Sequence, residues 1–170
     1  MEVLSNDLEK ELKRRVVHYE WRNEPQHAII DGCEFHFKSK IEYKWAMYLQ
    51  RLLELEAIDF WGYETKTFEF AERYRMKRQY TPDFEVHETV GMGPGKLKQT
   101  CFHEVKTALR QPDIRRFKLM AADYPMVTMV LVLPSCRTGR QSILRGNALK
   151  YIERVVYCNP LFNKLGIRIR

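Results

Sequence analysis

The sequence predicts one mixed α/β domain in which helices flank a β-sheet, and three observations lead to this prediction. Of the 170 residues, 45% are hydrophobic and 30% are charged, a composition typical of a single globular domain with its own core. Two β-prone segments joined by a glycine-rich turn occupy 80–106. A helical segment and the nearly all-apolar run "MVTMVLVLP" follow them, as expected when a crossover helix leads to a buried strand.

The first third of the chain predicts a helix, a hairpin and a second helix. Asn6 can cap a helix with apolar residues at helical spacing, which ends at "WRNEP" in 21–25. Two β-prone runs around Asp31-Gly32 predict the hairpin. Ser39 begins the second helix, and its broad apolar stripe predicts that this helix is largely buried.

The middle of the chain predicts three strands and a helix. Alternation of polar and apolar residues in 66–70 indicates a half-buried strand, and a basic connection at 71–79 follows it. The two strands of 80–106 are joined through "GMGPG", which cannot be regular structure. A helix begins at Gln111, with proline in its first turn.

After the apolar strand, the sequence predicts a loop and a last helix. The segment 136–147 is basic and contains two glycines, which favours a loop. Asn147 is a suitable cap for a final helix, and apolar residues follow it at helical spacing. These residues are Leu149, Ile152 and Val156.

The domain organisation expected is a single unit over 1–170. It comprises an N-terminal helix and linker at 1–25, a core at 27–133 and a basic C-terminal segment at 134–170. The formal net charge is +7, and the C-terminal segment has eight Lys and Arg residues against the single acid Glu153. A basic segment on a neutral body favours a polyanion such as nucleic acid as partner, with solubility or contact with acidic lipid as the alternative.

Composition also excludes some classes of protein. No apolar run approaches the roughly 20 residues of a membrane span, so no membrane association is expected. The first residues, "MEVLSNDLEKELKRR", are charged throughout and do not resemble a secretory signal. Four cysteines are scattered without a framework, which indicates reduced thiols and a cytoplasmic location.

Three charged residues in 80–106 form the candidate site. Side chains alternate along a strand, so Glu104 and Lys106 face one side while Val105 faces the core. Hairpin pairing can place Asp83 opposite Glu104. Two neighbouring carboxylates repel each other unless a proton or cation joins them, and Mg²⁺ binds such pairs together with a carbonyl, here that of Val105.

The stretches "TPDF" and "HEVK", which contain these residues, resemble the PD-(D/E)XK nuclease superfamily. The resemblance covers roughly 27–140 and implies a restriction-endonuclease-like mixed β-sheet flanked by α-helices, with hydrolysis of phosphodiester bonds that depends on Mg²⁺ or Mn²⁺. It assigns metal binding to Asp83, Glu104 and the Val105 carbonyl, and a catalytic role to Lys106. Glu42, in "FKSKIEYKWAMYL", is the further helix acid of such nucleases and can hold a second ion or a water.

Small phage endonucleases that resolve Holliday junctions share this order of motifs, and so do transposon-end nucleases of the TnsA type. The resemblance therefore implies a DNA endonuclease, either a homodimeric junction resolvase in a host cytoplasm or a nuclease of duplex DNA in transposition or replication. An inert DNA-binding protein on the same fold is the remaining alternative. The residues expected to contact DNA are Arg73, Arg75, Lys77, Arg78, Arg115, Lys118, Arg137 and Arg140.

Each functional assignment has a structural alternative. Glu42 lies three residues after Ser39, the spacing of a capping box in which the glutamate binds the helix N-terminus. Asp83 can end a turn, and Glu104 with Lys106 can form an exposed ion pair worth less than about 1 kcal/mol.

Zinc is a further alternative. The pairs Cys33-x-x-His36 and Cys101-x-His103 contain zinc ligands, but they lack the two tight, regularly spaced pairs of structural zinc sites. Cysteine is also a good small residue for a protein core.

Overall fold

The structure, a computed structural model, describes residues 26–71, 79–90, 97–136, 139–164 and 166–167. Several expectations lie outside these residues. They are the N-terminal helix, most of the basic connection at 71–79 and the glycine-rich turn at 91–95. The expected DNA contacts Arg73, Arg75, Lys77, Arg78 and Arg137 also lie outside them.

Nine strands and four helices occur within the described residues. The strands are β1 Gln26–Ile30, β2 Cys33–Phe37, β3 Phe60–Tyr63, β4 Phe68–Glu69, β5 Gln79–Tyr80, β6 Phe84–Val90, β7 Leu97–Val105, β8 Thr128–Leu133 and β9 Arg154–Tyr157. The helices are α1 Lys40–Glu54, α2 Gln111–Asp123, α3 Arg140–Ala148 and α4 Cys158–Lys164. None of these helices combines the length and the apolarity needed to cross a membrane.

Five strands form the main sheet, in the order β3-β6-β7-β8-β9. The pairs β3–β6 and β6–β7 are antiparallel, whereas β7–β8 and β8–β9 are parallel. The parallel pairs are connected through α2 and α3, as parallel pairing requires a crossover. The pairs β1–β2 and β4–β5 form two small sheets of their own. The mixed α/β class expected from the sequence is therefore confirmed.

Side chains on the two faces of the main sheet belong to two separate cores. Val132 of β8 packs with α1, α4 and the β1–β2 hairpin in one core. Leu131, the preceding residue, packs with α2, α3 and β4 in the other. Both side chains are fully buried, which explains the continuous apolar sequence of this strand.

Three local predictions agree with the structure. The β1–β2 hairpin turns at Asp31 and Gly32, both with positive φ (49° and 77°), as a two-residue hairpin turn of the I′ type requires. Ser39 is the N-cap of α1. Pro112 lies in the first turn of α2, where its missing N–H removes no helical hydrogen bond.

The C-terminal prediction is wrong in two respects. The expected basic loop at 136–147 contains most of α3, which buries Leu144 and Ala148. The expected helix from Asn147 is replaced by the end of α3, a turn, β9 and α4. The spacing of Leu149, Ile152 and Val156 is helical, but "RVVY" is β-prone. It pairs in parallel with the side of β8 that does not pair with β7, and a local pattern does not reveal this pairing.

Candidate functional site

The pairing of β6 with β7 places two carboxylates side by side. Phe84 is paired with His103, so Asp83, immediately before β6, lies opposite Glu104 near the end of β7. Both residues are buried, with exposures of 6% for Asp83 and 3% for Glu104. Burial of two neighbouring acids is unfavourable without a compensating charge.

Lys106 supplies a charge to both acids. Its Nζ lies 2.5 Å from Oε1 of Glu104 and 4.0 Å from Oδ2 of Asp83. The lysine side chain is 26% exposed, so the cluster is accessible to solvent mainly on the lysine side. The structure thus brings together the three side chains that the sequence motif contains.

The backbone of Val105 completes the cluster. Its N–H donates a 2.7 Å hydrogen bond to Oδ2 of Asp83. In an extended strand the N–H and C=O of one residue point toward the same side, so the Val105 carbonyl faces the strand edge on which Asp83 lies. The Val105 side chain packs in the core with α1, on the sheet face opposite to Glu104.

The electrostatics of Asp83 are dominated by burial and by Glu104. Both effects raise the pKa of the Asp83 carboxyl, and the Lys106 ammonium and the Val105 N–H only partly oppose them, so that this pKa reaches about 7. The negative charge of the pair is therefore not fully balanced by the protein at neutral pH.

Glu42 lies in the first turn of α1, where three groups hold its carboxylate. The Ser39 hydroxyl donates to Oε1 at 2.6 Å, and Oε2 accepts from the Tyr63 hydroxyl at 2.7 Å and the Lys38 amide at 3.0 Å. The Glu42 N–H donates to Ser39 Oγ at 3.3 Å, as in N-capping. This is a variant of the capping box, because the glutamate binds the amide one residue before the cap.

Glu42 also acts on the acidic pair from a distance. After burial and Glu104, its charge has a smaller effect that also raises the pKa of Asp83. Within the described residues, Glu42, Asp83 and Glu104 do not form a group whose ligand atoms all lie within 4.8 Å of one another. Glu42 is therefore a neighbour of the pair and not a third member of one compact ligand set.

Two residues near the pair did not emerge as site residues from the sequence. The Tyr80 hydroxyl donates a 2.7 Å hydrogen bond to Oε2 of Glu104. Arg116 of α2 lies with its Nη1 3.8 Å from Oε1 of Glu104 and its guanidinium 5.1 Å from the centre of the Tyr80 ring. The basic run around Arg116 was visible in the sequence, but the rotation of α2 that decides which of its bases faces the site was not.

The expected DNA contacts within the described residues lie on the surface. Arg115 and Lys118 are exposed on α2, and Arg140 is exposed at the start of α3. Arg140 also lines an open cavity of about 430 Å³ between the first turns of these helices. Arg110, which the sequence did not single out, lines the same cavity, a few residues after Lys106.

The zinc alternative based on cysteine receives no support from the described residues. Cys33 and His36 are three residues apart on β2 and so point to opposite faces. The Cys101 thiol donates to Oε1 of Glu88, and His103 Nδ1 accepts a 3.1 Å hydrogen bond from the Trp45 indole N–H. Burial lowers the pKa of His103 to about 3, so this imidazole is neutral and belongs to the core.

The arrangement as a whole consists of two buried carboxylates, one carbonyl, one ammonium and one guanidinium, gathered at one end of neighbouring strands. Such a group can bind a hard divalent cation next to a phosphate, because oxygen donors suit the cation and the basic side chains suit the phosphate. In comparisons with protein-family models, with curated proteins and with solved structures, none matches this chain.

Proposed function

We propose that this chain is a divalent-cation-dependent nuclease that hydrolyses phosphodiester bonds in DNA. The observation that carries the proposal is the shared position of Asp83 and Glu104, buried side by side within 4.0 Å of one ammonium. Two acids buried side by side repel each other, and an ion pair that serves stability alone needs only one of them. Burial and, after it, the second acid raise the pKa of Asp83 to about 7, a perturbation typical of functional sites.

The donor atoms fit Mg²⁺ and, by similar chemistry, Mn²⁺. Asp83, Glu104 and the Val105 carbonyl offer oxygen only, and magnesium is usually held by one or two carboxylates with waters in the remaining positions. Glu42 is available for a second ion or for a water between it and Asp83. A bound ion would supply positive charge to the phosphate and lower the pKa of a water molecule.

Lys106 and Arg116 are suited to donate hydrogen bonds in the proposed reaction. Burial lowers the pKa of Lys106, but Glu104 and Asp83 raise it more, so that it lies above its ordinary value. Lys106 is then an ammonium at neutral pH and can donate hydrogen bonds to a phosphate oxygen or hold a water in position. It is therefore not suited to act as the base that accepts a proton from the attacking water in hydrolysis. Arg116 offers a second donor beside Glu104.

The proposal includes membership of the PD-(D/E)XK superfamily and a restriction-endonuclease-like fold. Support comes from the motif residues Asp83, Glu104 and Lys106, and from a mixed sheet with a helix after the Glu-x-Lys strand. DNA as substrate is supported by the formal net charge of +7 and by Arg110 and Arg140, which line a cavity whose wall begins two residues after Lys106.

Replacement of Asp83 by asparagine tests the proposal. Asp83→Asn removes a charged ligand and keeps the side-chain volume, so DNA cleavage with Mg²⁺ should fall by at least about 100-fold while DNA binding persists. Glu85→Gln is the matched control, because Glu85 is a partly buried acid two residues away whose carboxylate contacts His87 and not the pair. Cleavage should be nearly unchanged in this control.

The measurement uses labelled duplex, flap, four-way junction and single-stranded DNA, each with Mg²⁺ and with Ca²⁺. Cleavage with Mg²⁺ but binding alone with Ca²⁺ would support an enzyme, whereas binding without cleavage under both conditions would indicate an inert DNA-binding protein. A preference for the junction would favour a resolvase and imply a homodimer, since symmetric cutting needs two active sites. Full cleavage by Asp83→Asn would refute the assignment of the site.

A further inference from the structure

A second group of metal-binding side chains lies on the β1–β2 hairpin, apart from the acidic pair. His27 and His36 are directly opposite each other in the hairpin register, and their ring centres are 4.4 Å apart. Glu34 lies on the same strand as His36, two residues earlier, and its carboxylate contacts Nε2 of His27. One ligand atom from each of the three residues lies within 4.8 Å of the others.

Strand alternation explains why the three side chains share one face. Residues of β2 two apart point the same way, so Glu34 and His36 face outward together. Phe35 and Phe37 face inward and pack with the core around α1, where Phe37 is almost completely buried. The side chains of His27 and Glu34 remain about half exposed, at 48% and 61%, so an ion can reach them from solvent.

The hairpin that carries these ligands is well supported. Its two-residue turn at Asp31 and Gly32 determines the register. Phe35 stacks on Trp61 at 5.3 Å between ring centres, which attaches β2 to the main sheet. Because the backbone is already held in place, little conformational entropy is lost when the three side chains bind an ion.

We propose that His27, Glu34 and His36 form a binding site for a divalent transition metal of the zinc class. Two imidazoles and one carboxylate are a usual set of protein ligands for zinc, and three ligands leave a position open for water. A hydrogen bond explains the contact between His27 and Glu34, but it does not account for the second imidazole, that of His36, directly opposite His27. The donors also differ in kind from the oxygen-only set at Asp83 and Glu104, so the two sites select different metals.

Binding at this site has a structural consequence. The ligands come from both strands, so the ion joins β1 to β2. Strand β2 ends one residue before Lys38, whose amide binds the Glu42 carboxylate at 3.0 Å. An ion on the hairpin therefore supports the segment that leads into α1, and it should raise the Tm of the protein. This inference does not depend on the proposed nuclease function.

The test is a calorimetric titration of the chelator-stripped, full-length chain with Zn²⁺. We expect one zinc ion per chain, no such binding in the double variant His27→Asn/His36→Asn, and at least about tenfold weaker binding in Glu34→Gln. His87→Asn is the matched control, because His87 is also an exposed, ion-paired histidine of a strand. It should bind zinc as the parent chain does.

Two further readouts keep the test decisive. Cobalt in place of zinc should give a spectrum without the charge-transfer band of thiolate ligands, which separates this site from the exposed Cys33 and Cys136. Zinc should raise the Tm of the parent chain and of His87→Asn but not of the double variant. The proposal is overturned if the parent chain binds no zinc, if the double variant binds it equally well, or if Glu34→Gln leaves the affinity unchanged.

Discussion

At Asp83, burial and the carboxylate of Glu104 act in the same direction, and each disfavours the charged form of the side chain. Lys106 and the Val105 amide oppose them without restoring an ordinary pKa. Tyr80 and Arg116 both contact Glu104, so the pair is enclosed by donors. The group holds two acids and two bases, yet the pKa of Asp83 stays well above its ordinary value.

The pKa of Asp83 predicts how stability depends on pH in the absence of divalent cations. Its ordinary value is 3.8 and its value in the folded protein is about 7, so the folded state binds more protons than the unfolded state between these limits. The free energy of unfolding should therefore decrease as the pH rises from about 4 to about 7. The decrease attributable to Asp83 is at most about 4 kcal/mol, since each pKa unit corresponds to about 1.4 kcal/mol.

Urea denaturation in EDTA at several pH values measures this effect. Asp83→Asn cannot ionise and should lack the decrease, so its stability relative to the parent chain should improve toward pH 8. Glu85→Gln should retain the decrease, because this variant keeps the Asp83 carboxyl and its raised pKa. Identical pH profiles for Asp83→Asn and the parent chain would contradict the raised pKa.

At the scale of one element, the rotation of α2 about its axis decides which bases reach the site. Ile114, Phe117 and Met120 face the core, and they orient the helix. Arg116 then lies toward Glu104 and also 3.7 Å from Asp113 in the preceding turn. Arg115, its neighbour in the sequence, is exposed. Adjacent residues of a helix diverge by about 100°, so only one of the two arginines can face the acids.

This orientation predicts different effects for two neighbouring arginines. Under the proposed nuclease function, Arg116→Ala should lower the rate of Mg²⁺-dependent cleavage by at least about tenfold, because it removes a donor beside Glu104, a proposed metal ligand. Arg115→Ala should change the rate less than about threefold and act mainly on DNA affinity. Single-turnover cleavage and a binding titration separate the two quantities, and a larger rate effect for Arg115→Ala would contradict this orientation of α2.

At the scale of the whole molecule, one sheet serves two cores. Strand β8 lies between β7 and β9 and contributes Leu131 to the core with α2 and α3. Its neighbour Val132 belongs to the core with α1 and α4. Because the two cores share this strand, neither can lose its packing while the other stays intact. The site lies at one end of the inner strands β6 and β7 of the same sheet, so its geometry depends on both cores.

Truncation of Leu131 tests whether the two cores unfold together. Leu131 is fully buried, so Leu131→Ala should destabilise the protein by about 2–5 kcal/mol and leave a single unfolding transition. Leu149→Ala is the matched control, because Leu149 is 48% exposed and should cost less than about 1 kcal/mol. Two separate transitions in urea, by fluorescence and by circular dichroism, would show that the cores unfold independently.

Short-range signals predicted much of the fold. The turn at Asp31-Gly32, the Ser39 cap of α1 and the proline in the first turn of α2 depend on residues within one or two turns, and they agree with the structure. Strand β9 could not be predicted in the same way, because it forms by pairing with the side of β8 that β7 does not occupy, and β8 lies about 20 residues earlier in the chain. The helical spacing of Leu149 and Ile152 in that region was a local coincidence, which long-range pairing overrode.

The sequence by itself determined the mixed α/β class, the order of most elements and the residue types of the candidate site, since periodicity, turn chemistry and strand alternation act over a few neighbours. Only the tertiary structure decided that Asp83 meets Glu104 and Lys106, that Arg116 and not Arg115 joins them, and that β9 follows α3. The reason is that strand register and helix rotation depend on packing between residues far apart in the chain, and no local segment specifies this packing.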